Sequence, residues 1–179
     1  MTAHDQPPAK PTAQQRTEAD SDMVTIRPAT PGDAESVRAL MLELADHEGL
    51  AHAVRTSMQD WARMLGQDNV VVLLAFRGGH PVGYVSAVRQ LHLWSAGDIL
   101  AMDDLFARPE ARGIGVGTLL MSALAEHAAA QGHLLVRWEM EVDNDGAQRF
   151  YRRLGAALRP KVIAVWQPGD YEQRQDSEN

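Results

Sequence analysis

Residues 98–131, DILAMDDLFARPEARGIGVGTLLMSALAEHAAAQ, constrain the fold of this chain more than any other stretch. They read as a strand, a tight glycine loop and an amphipathic helix. The loop, Arg112-Gly113-Ile114-Gly115-Val116-Gly117-Thr118, places three glycines on alternate positions. Without Cβ atoms the backbone can take positive φ and approach a ligand closely. The helix that follows aims its unpaired N–H groups and the positive end of its dipole at the loop. That arrangement is an anion site, most often for phosphate. Its spacing is wrong for a dinucleotide fingerprint, because the third glycine of G-x-G-x-x-G would fall at Thr118, and no lysine is present to make a P-loop. We read it as a pyrophosphate site, with close packing of a glycine turn as the alternative.

The helix is expected over 115–131, roughly 25 Å long, with Val116, Leu120, Ala123, Leu124 and His127 on one face and Gly132 as its stop. Upstream, 24–27 reads as a strand and Pro28 to Asp33 as a turn. Val37, Leu40, Met41 and Leu44 recur at helical spacing. A shorter helix, 57–65, is capped by Ser57. Apolar runs at 69–77 and 82–94 flank Gly78-Gly79-His80-Pro81, a hairpin signal. With 98–107 they make an antiparallel meander. Downstream, 133–143 reads as a strand parallel to 98–107. A helix over 145–154 and a last strand at 162–166 complete the order βααβββαβαβ. The class is α/β, a mixed sheet with helices on both sides.

A chain of 179 residues with 45% hydrophobic residues supports one domain. We expect it over 23–168, between a disordered tail at 1–22 and a polar tail at 169–179. The first 22 residues have no apolar core of a secretory leader, and no run is long enough to span a membrane. The absence of cysteine rules out disulfides, thiolate metal ligands and a cysteine nucleophile, and fits a reducing, cytoplasmic setting. A net charge of −7 disfavours nucleic acid and anionic membrane as partners and favours a cationic small molecule. Seven histidines make no metal motif, and no metal is expected.

Two motifs together carry a family resemblance. Arg112-Gly113-Ile114-Gly115-Val116-Gly117 matches [QR]-x-x-G-x-[GA], and Asn144-Asp-Gly-Ala147-Gln-Arg-Phe150-Tyr151-Arg-Arg-Leu-Gly155 matches N-x-x-A-x-x-F-Y-x-x-x-G. The chain thereby resembles, over about residues 23–167, the GNAT superfamily of N-acetyltransferases. The resemblance implies a GNAT-type acyl-CoA N-acyltransferase fold and acetyl-CoA as cosubstrate. Glu43-Leu44-Ala45-Asp46-His47-Glu48 and the pair Asp103-Asp104 look like the spermidine/spermine (diamine) N-acetyltransferase branch. That branch commonly carries Glu where this chain has Asp103, and an aromatic where it has His47. The implied acceptor is a primary amine of a polyamine, diamine or lysine-like compound. An aminoglycoside-type drug or a protein amine is the alternative enzyme reading, and a CoA-binding sensor without catalysis is the alternative outside enzymes.

Acetyl transfer to an amine needs a group to take the amine's proton, a donor for the oxyanion and a proton for the leaving thiolate. Without cysteine the simplest route is direct attack on the bound thioester. Asp103 is the candidate base, through water, or else a clamp for a cationic acceptor. Alternation puts Asp103 on one strand face with Ile99 and Leu105, and Asp104 on the other with Met102 and Phe106, unless a bulge changes the phase. A salt bridge or solvated strand edge is the plain reading of either. Asp104, His47 and Glu48 are candidates for the amine-binding wall, against a solvated helix end for the last two. By resemblance, Tyr151 is the general acid and Asn144 binds the pantetheine arm; a core aromatic is the alternative for Tyr151. The backbone of Leu105 and Ala107 pairs with the pantetheine. Arg112 and the N–H groups of Gly113, Ile114, Gly115, Val116, Gly117 and Thr118 carry the pyrophosphate, and Arg108 helps with the 3′-phosphate or is a surface arginine. Trp94 reads as core or dimer contact. The branch implies a homodimer, with Trp166 and the last strand at its interface.

Overall fold

Glycine and proline punctuate the chain into its elements. The computed structural model describes residues 23–167, so the expected tails at 1–22 and 169–179 lie outside the described residues. The chain divides between Glu139 and Met140 into two units. The first holds β1 (Val24–Pro28), α1 (Ala34–His47), α2 (Met58–Met64), β2 (Val70–Arg77), β3 (His80–His92), β4 (Gly97–Ala107), α3 (Val116–Ala130) and β5 (Val136–Arg137). The second holds α4 (Asp145–Arg153).

The strands of the first unit form one sheet in chain order. β1 to β4 are antiparallel, and β5 runs parallel to β4 after the α3 crossover. Gly78 and Gly79 take φ of +57° and +78° and close a two-residue hairpin between β2 and β3. Ser57 Oγ accepts the Asp60 N–H at 3.1 Å, which caps α2 as its sequence implies. Arg27 pairs with Asp33 at 2.6 Å and lies 4.5 Å over the Phe76 ring, tying β1 to the start of α1. That guanidinium holds the Asp33 carboxyl well below the usual carboxylate range.

Register sorts the core into two layers. Leu74 lies opposite Tyr84, and Tyr84 opposite Phe106, so the three share a face. Val37 and Leu40 of α1 and Trp61 of α2 pack with them. Next to Tyr84, Gly83 points the other way: a Cβ there would stand 3.3 Å from Val116 Cγ1 of α3. Val116, Leu120 and Leu124 bury the expected stripe of α3 on this second face. Each such buried side chain contributes roughly 1.5–3 kcal/mol relative to exposure.

Two strands fall short of expectation. The run at 133–143 keeps only Val136 and Arg137 in the sheet, opposite Leu100 and Ala101. A bulge in β4 explains this: Ser86 pairs with Asp104 but Ala87 with Met102, leaving Asp103 as the extra residue. Bulges bend and twist a strand, and the parallel ladder stops where this one begins. The last strand, at 162–166, does not form; Val162 and Val165 are exposed, and the run joins none of the ladders. Apolar β-propensity makes a strand only where an edge receives it. Trp94 is 98% exposed, which removes its core reading. Among the described residues no helix is long and apolar enough to cross a membrane.

Candidate active site

The bulge decides which aspartate faces what. Alternation alone puts Asp104 with Met102; the extra residue instead puts Asp104 on the face of Ile99, Ala101 and Phe106, opposite Ser86. That is the α1 side of the sheet. There Asp104 Oδ2 accepts hydrogen bonds from Tyr84 Oη at 3.0 Å and Ser86 Oγ at 3.2 Å. Ser86 Oγ also accepts the Asp104 N–H at 3.2 Å. Tyr84 is fully buried. Burial pushes its phenol far up, and so do the negative charges of Asp104, Glu48 and Asp103. Three carboxylates from two elements thus act on one hydroxyl: Glu48 caps the end of α1, and the aspartates sit on β4. Burial, and then the Asp104 charge, raise Asp103 from its ordinary value.

Beyond Ala101, β4 runs on without β5. The Arg108 N–H donates to Val82 O of β3 at 2.9 Å. A trans peptide sends the Ala107 C=O the other way, to the open edge, where Arg112 Nε takes it at 3.1 Å. Alternation gives Leu105 the same direction. Among the described residues no strand pairs with this edge of β4 beyond Ala101.

The glycine loop follows directly. Gly113 and Gly115 take φ of +79° and +90°, and a Cβ on either would meet nothing within 4 Å. Gly115 caps α3, whose first hydrogen bond runs from Leu119 N–H to Gly115 C=O. The earlier amides of the turn, through Thr118, lack an intrahelical partner. Among the described residues, none of them has a backbone or side-chain acceptor within the chain. Ile114 is exposed and Val116 buried, so only their backbone is offered.

Arg108 departs from expectation. It is neither free for a phosphate nor a loose surface side chain. Its Nε and Nη2 grip Glu43 of α1 at 2.8 and 2.6 Å, and Nη1 donates to Pro81 O at 2.9 Å. His47, exposed in the last turn of α1, has no hydrogen bond or ion pair among the described residues that ties it to the carboxylates. Sequence reasoning also missed Tyr84 and Ser86. Their signal was present: two hydroxyls at i and i+2 in the apolar run 82–88, opposite an acidic pair.

In the second unit, Asn144 caps α4, its Oδ1 accepting the Ala147 N–H at 3.0 Å. Tyr151 is buried, edge-on to Phe150 at 5.1 Å, and burial pushes its phenol up to about 12. Among the described residues no group of three or more His, Asp or Glu is placed to hold a metal ion.

A family model described as Acetyltransferase (GNAT) family matches residues 35–156. The chain belongs to the GNAT acetyltransferase family. It is an N-acetyltransferase with the mixed α/β GNAT fold. This GNAT chain is 35% identical over 130 residues to the aminoalkylphosphonate N-acetyltransferase of Salmonella typhimurium, spanning 73% of this chain and 82% of that one. It is 28% identical over 130 residues to the thialysine N-epsilon-acetyltransferase of Caenorhabditis elegans, spanning 73% and 79%. Among solved structures, an aminoglycoside acetyltransferase from an uncultured soil metagenomic sample, in complex with sisomicin, superposes with a TM-score of 0.72 at 17% identity, over 80% of this chain and 95% of that one. That likeness concerns the fold alone.

Proposed function

We propose that this GNAT enzyme transfers the acetyl group of acetyl-CoA to a primary amine of a small acceptor that carries a second positive charge: a diamine, polyamine or lysine-like compound. The observation that carries this choice is the Asp104 carboxylate, held by Tyr84 and Ser86 on the α1 face of the sheet, with the charges of Glu48 and Asp103 also felt at the Tyr84 hydroxyl. Such a cluster attracts ammonium groups and repels a phosphonate. It favours an acceptor like that named for the thialysine relative over the aminoalkylphosphonate named for the other.

The residues present fit acetyl-CoA. The open β4 edge at Leu105 and Ala107 suits the pantetheine amides, as an added strand would. The free amides of 113–118, with Arg112 beside them, suit the diphosphate. When bound, acetyl-CoA supplies a thioester carbonyl open to attack by nitrogen. The chain's own part is proton handling and positioning. Asp103, raised from its ordinary value by burial and by the Asp104 charge, takes the ammonium proton through water. Asp104 and Glu48 hold positive charge. With acetyl-CoA bound, the neutral amine nitrogen would bond the acetyl carbon as the carbon–sulfur bond breaks, and would shed its second proton to solvent. On the α4 motif, Tyr151, protonated at neutral pH, would give its proton to the departing sulfur and recover one from solvent. Its role and that of Asn144 rest on the α4 motif. A homodimer, on the family resemblance, belongs to the same reading and is read directly by sedimentation.

A thiol-release assay with acetyl-CoA over a panel of amines tests the acceptor. Turnover of diamines and lysine-like compounds is expected. Turnover of an aminoglycoside or a peptide, with none of diamines, contradicts it.

A further inference from the structure

Both hydroxyls on the α1 face of β3 go to one carboxylate. Tyr84 Oη and Ser86 Oγ donate to the same atom, Asp104 Oδ2, and Ser86 Oγ accepts the Asp104 amide. Tyr84 is fully buried and Ser86 is 7% exposed. Phenylalanine and alanine would fill this space without polar atoms to satisfy. A buried hydroxyl is unfavourable unless it is hydrogen-bonded. Here the polar atoms are kept, and their donors fix a side chain that a bulge would otherwise leave to choose among rotamers.

We propose that Tyr84 and Ser86 are positioning residues that set Asp104 as a fixed anionic anchor, and so determine the preference of the enzyme for acceptors with a second cation. The inference rests on the reading that the acceptor is a small cationic amine. Two hydrogen bonds occupy Oδ2. A carboxylate accepts about four, so Oδ1 stays available to an ammonium group. An anchor ordered before binding avoids the loss of side-chain freedom that binding would otherwise impose. The buried phenol stays protonated beside the Asp104 carboxylate and so remains a donor. The neighbouring Asp103, one residue away on the bulge, is left to handle the proton. Anchor and proton acceptor are thus distinct groups, and Tyr84 and Ser86 act only through the anchor.

The test is a double-mutant cycle built on Tyr84→Phe, Ser86→Ala, their combination and Asp104→Asn. The readout is the ratio of kcat/KM for 1,3-diaminopropane to that for propylamine, with the KM for acetyl-CoA and the melting temperature alongside. Wild-type enzyme should prefer the diamine. The combined variant should lose about tenfold of that ratio through the diamine's KM, with the KM for acetyl-CoA within twofold of wild type. Each single variant should lose about threefold, which carries the test if the combined one does not fold. In the Asp104→Asn background, Tyr84→Phe should leave the ratio unchanged. A wild-type ratio retained by the variants overturns the inference alone. So does an equal effect of Tyr84→Phe with and without Asp104. A wild-type enzyme with no preference for the diamine overturns the acceptor reading, and the inference with it.

Discussion

Replacing Gly115 by alanine separates the backbone needs of the loop from those of its ligand. Gly115 has φ of +90°, and a Cβ there meets nothing within 4 Å. The substitution therefore makes no clash within the protein. Its internal cost is the left-handed backbone of an L-residue, about 1–2 kcal/mol. For a chain of this size each kcal/mol lowers the melting temperature by about 2–4 °C, so a drop of about 2–8 °C is expected. Gly79, in the β2–β3 hairpin, is a matched control: its φ is +78° and its Cβ position is equally open. Gly79→Ala should lower the melting temperature by the same few degrees. The two variants should part company only on acetyl-CoA. At position 115 the new methyl stands where the diphosphate approaches the backbone, and a rise in acetyl-CoA KM of about tenfold or more is expected, equivalent to about 1.4 kcal/mol. Gly79→Ala should leave that KM unchanged. Melting curves and initial rates at varied acetyl-CoA suffice. Equal KM values in the two variants would refute the placement of the diphosphate at this loop.

Asp103→Asn tests the proposed base. A carboxylate whose folded pKa is raised favours the fold below its unfolded pKa and loses that contribution as pH rises through the raised value. The variant should therefore melt higher than wild type at pH 7, no higher at pH 3, and turn over about a hundredfold more slowly; a lower melting temperature at pH 7 contradicts this. Tyr151→Phe should lower kcat by about a hundredfold while acetyl-CoA affinity by calorimetry stays put, and unchanged turnover would make the tyrosine a packing residue. Arg108→Ala breaks the grip on Glu43, a pair with side chains 25% and 40% exposed. Discounted for solvent, that removes about 1 kcal/mol and should lower the melting temperature without moving the acetyl-CoA KM. A tenfold rise in that KM would return Arg108 to the phosphates.

Local chemistry made most of the fold legible. Gly78-Gly79 marks a hairpin, Ser57 a cap, and Gly132 the end of α3, whose C-terminal N–H reaches Ala129 O. The parallel placement of β5 followed from its crossover, but not its length, because the bulge at Asp103 is a property of two strands together. That bulge also shifted the phase of the strand, keeping Asp104 on the face of Phe106 but moving it from that of Met102 to that of Ile99. No single-strand alternation contains it, although Ser86 opposite the acidic pair was its trace. The glycine loop was legible as a turn because φ of +79° and +90° at Gly113 and Gly115 favours glycine whatever surrounds it. Arg108 was misread because an arginine beside a phosphate loop and one holding Glu43 of a distant helix look alike in sequence. The run at 162–166 has strand propensity, and propensity carries no information about whether an edge is there to receive it.

One competition measures the choice of acceptor. Wild-type enzyme with limiting acetyl-CoA is offered equal concentrations of a linear diamine and an aminoalkylphosphonate, and the acetylated products are resolved by mass. The cluster of Glu48, Asp103 and Asp104 calls for acetyl-diamine in at least tenfold excess. Acetylated phosphonate as the main product would contradict it.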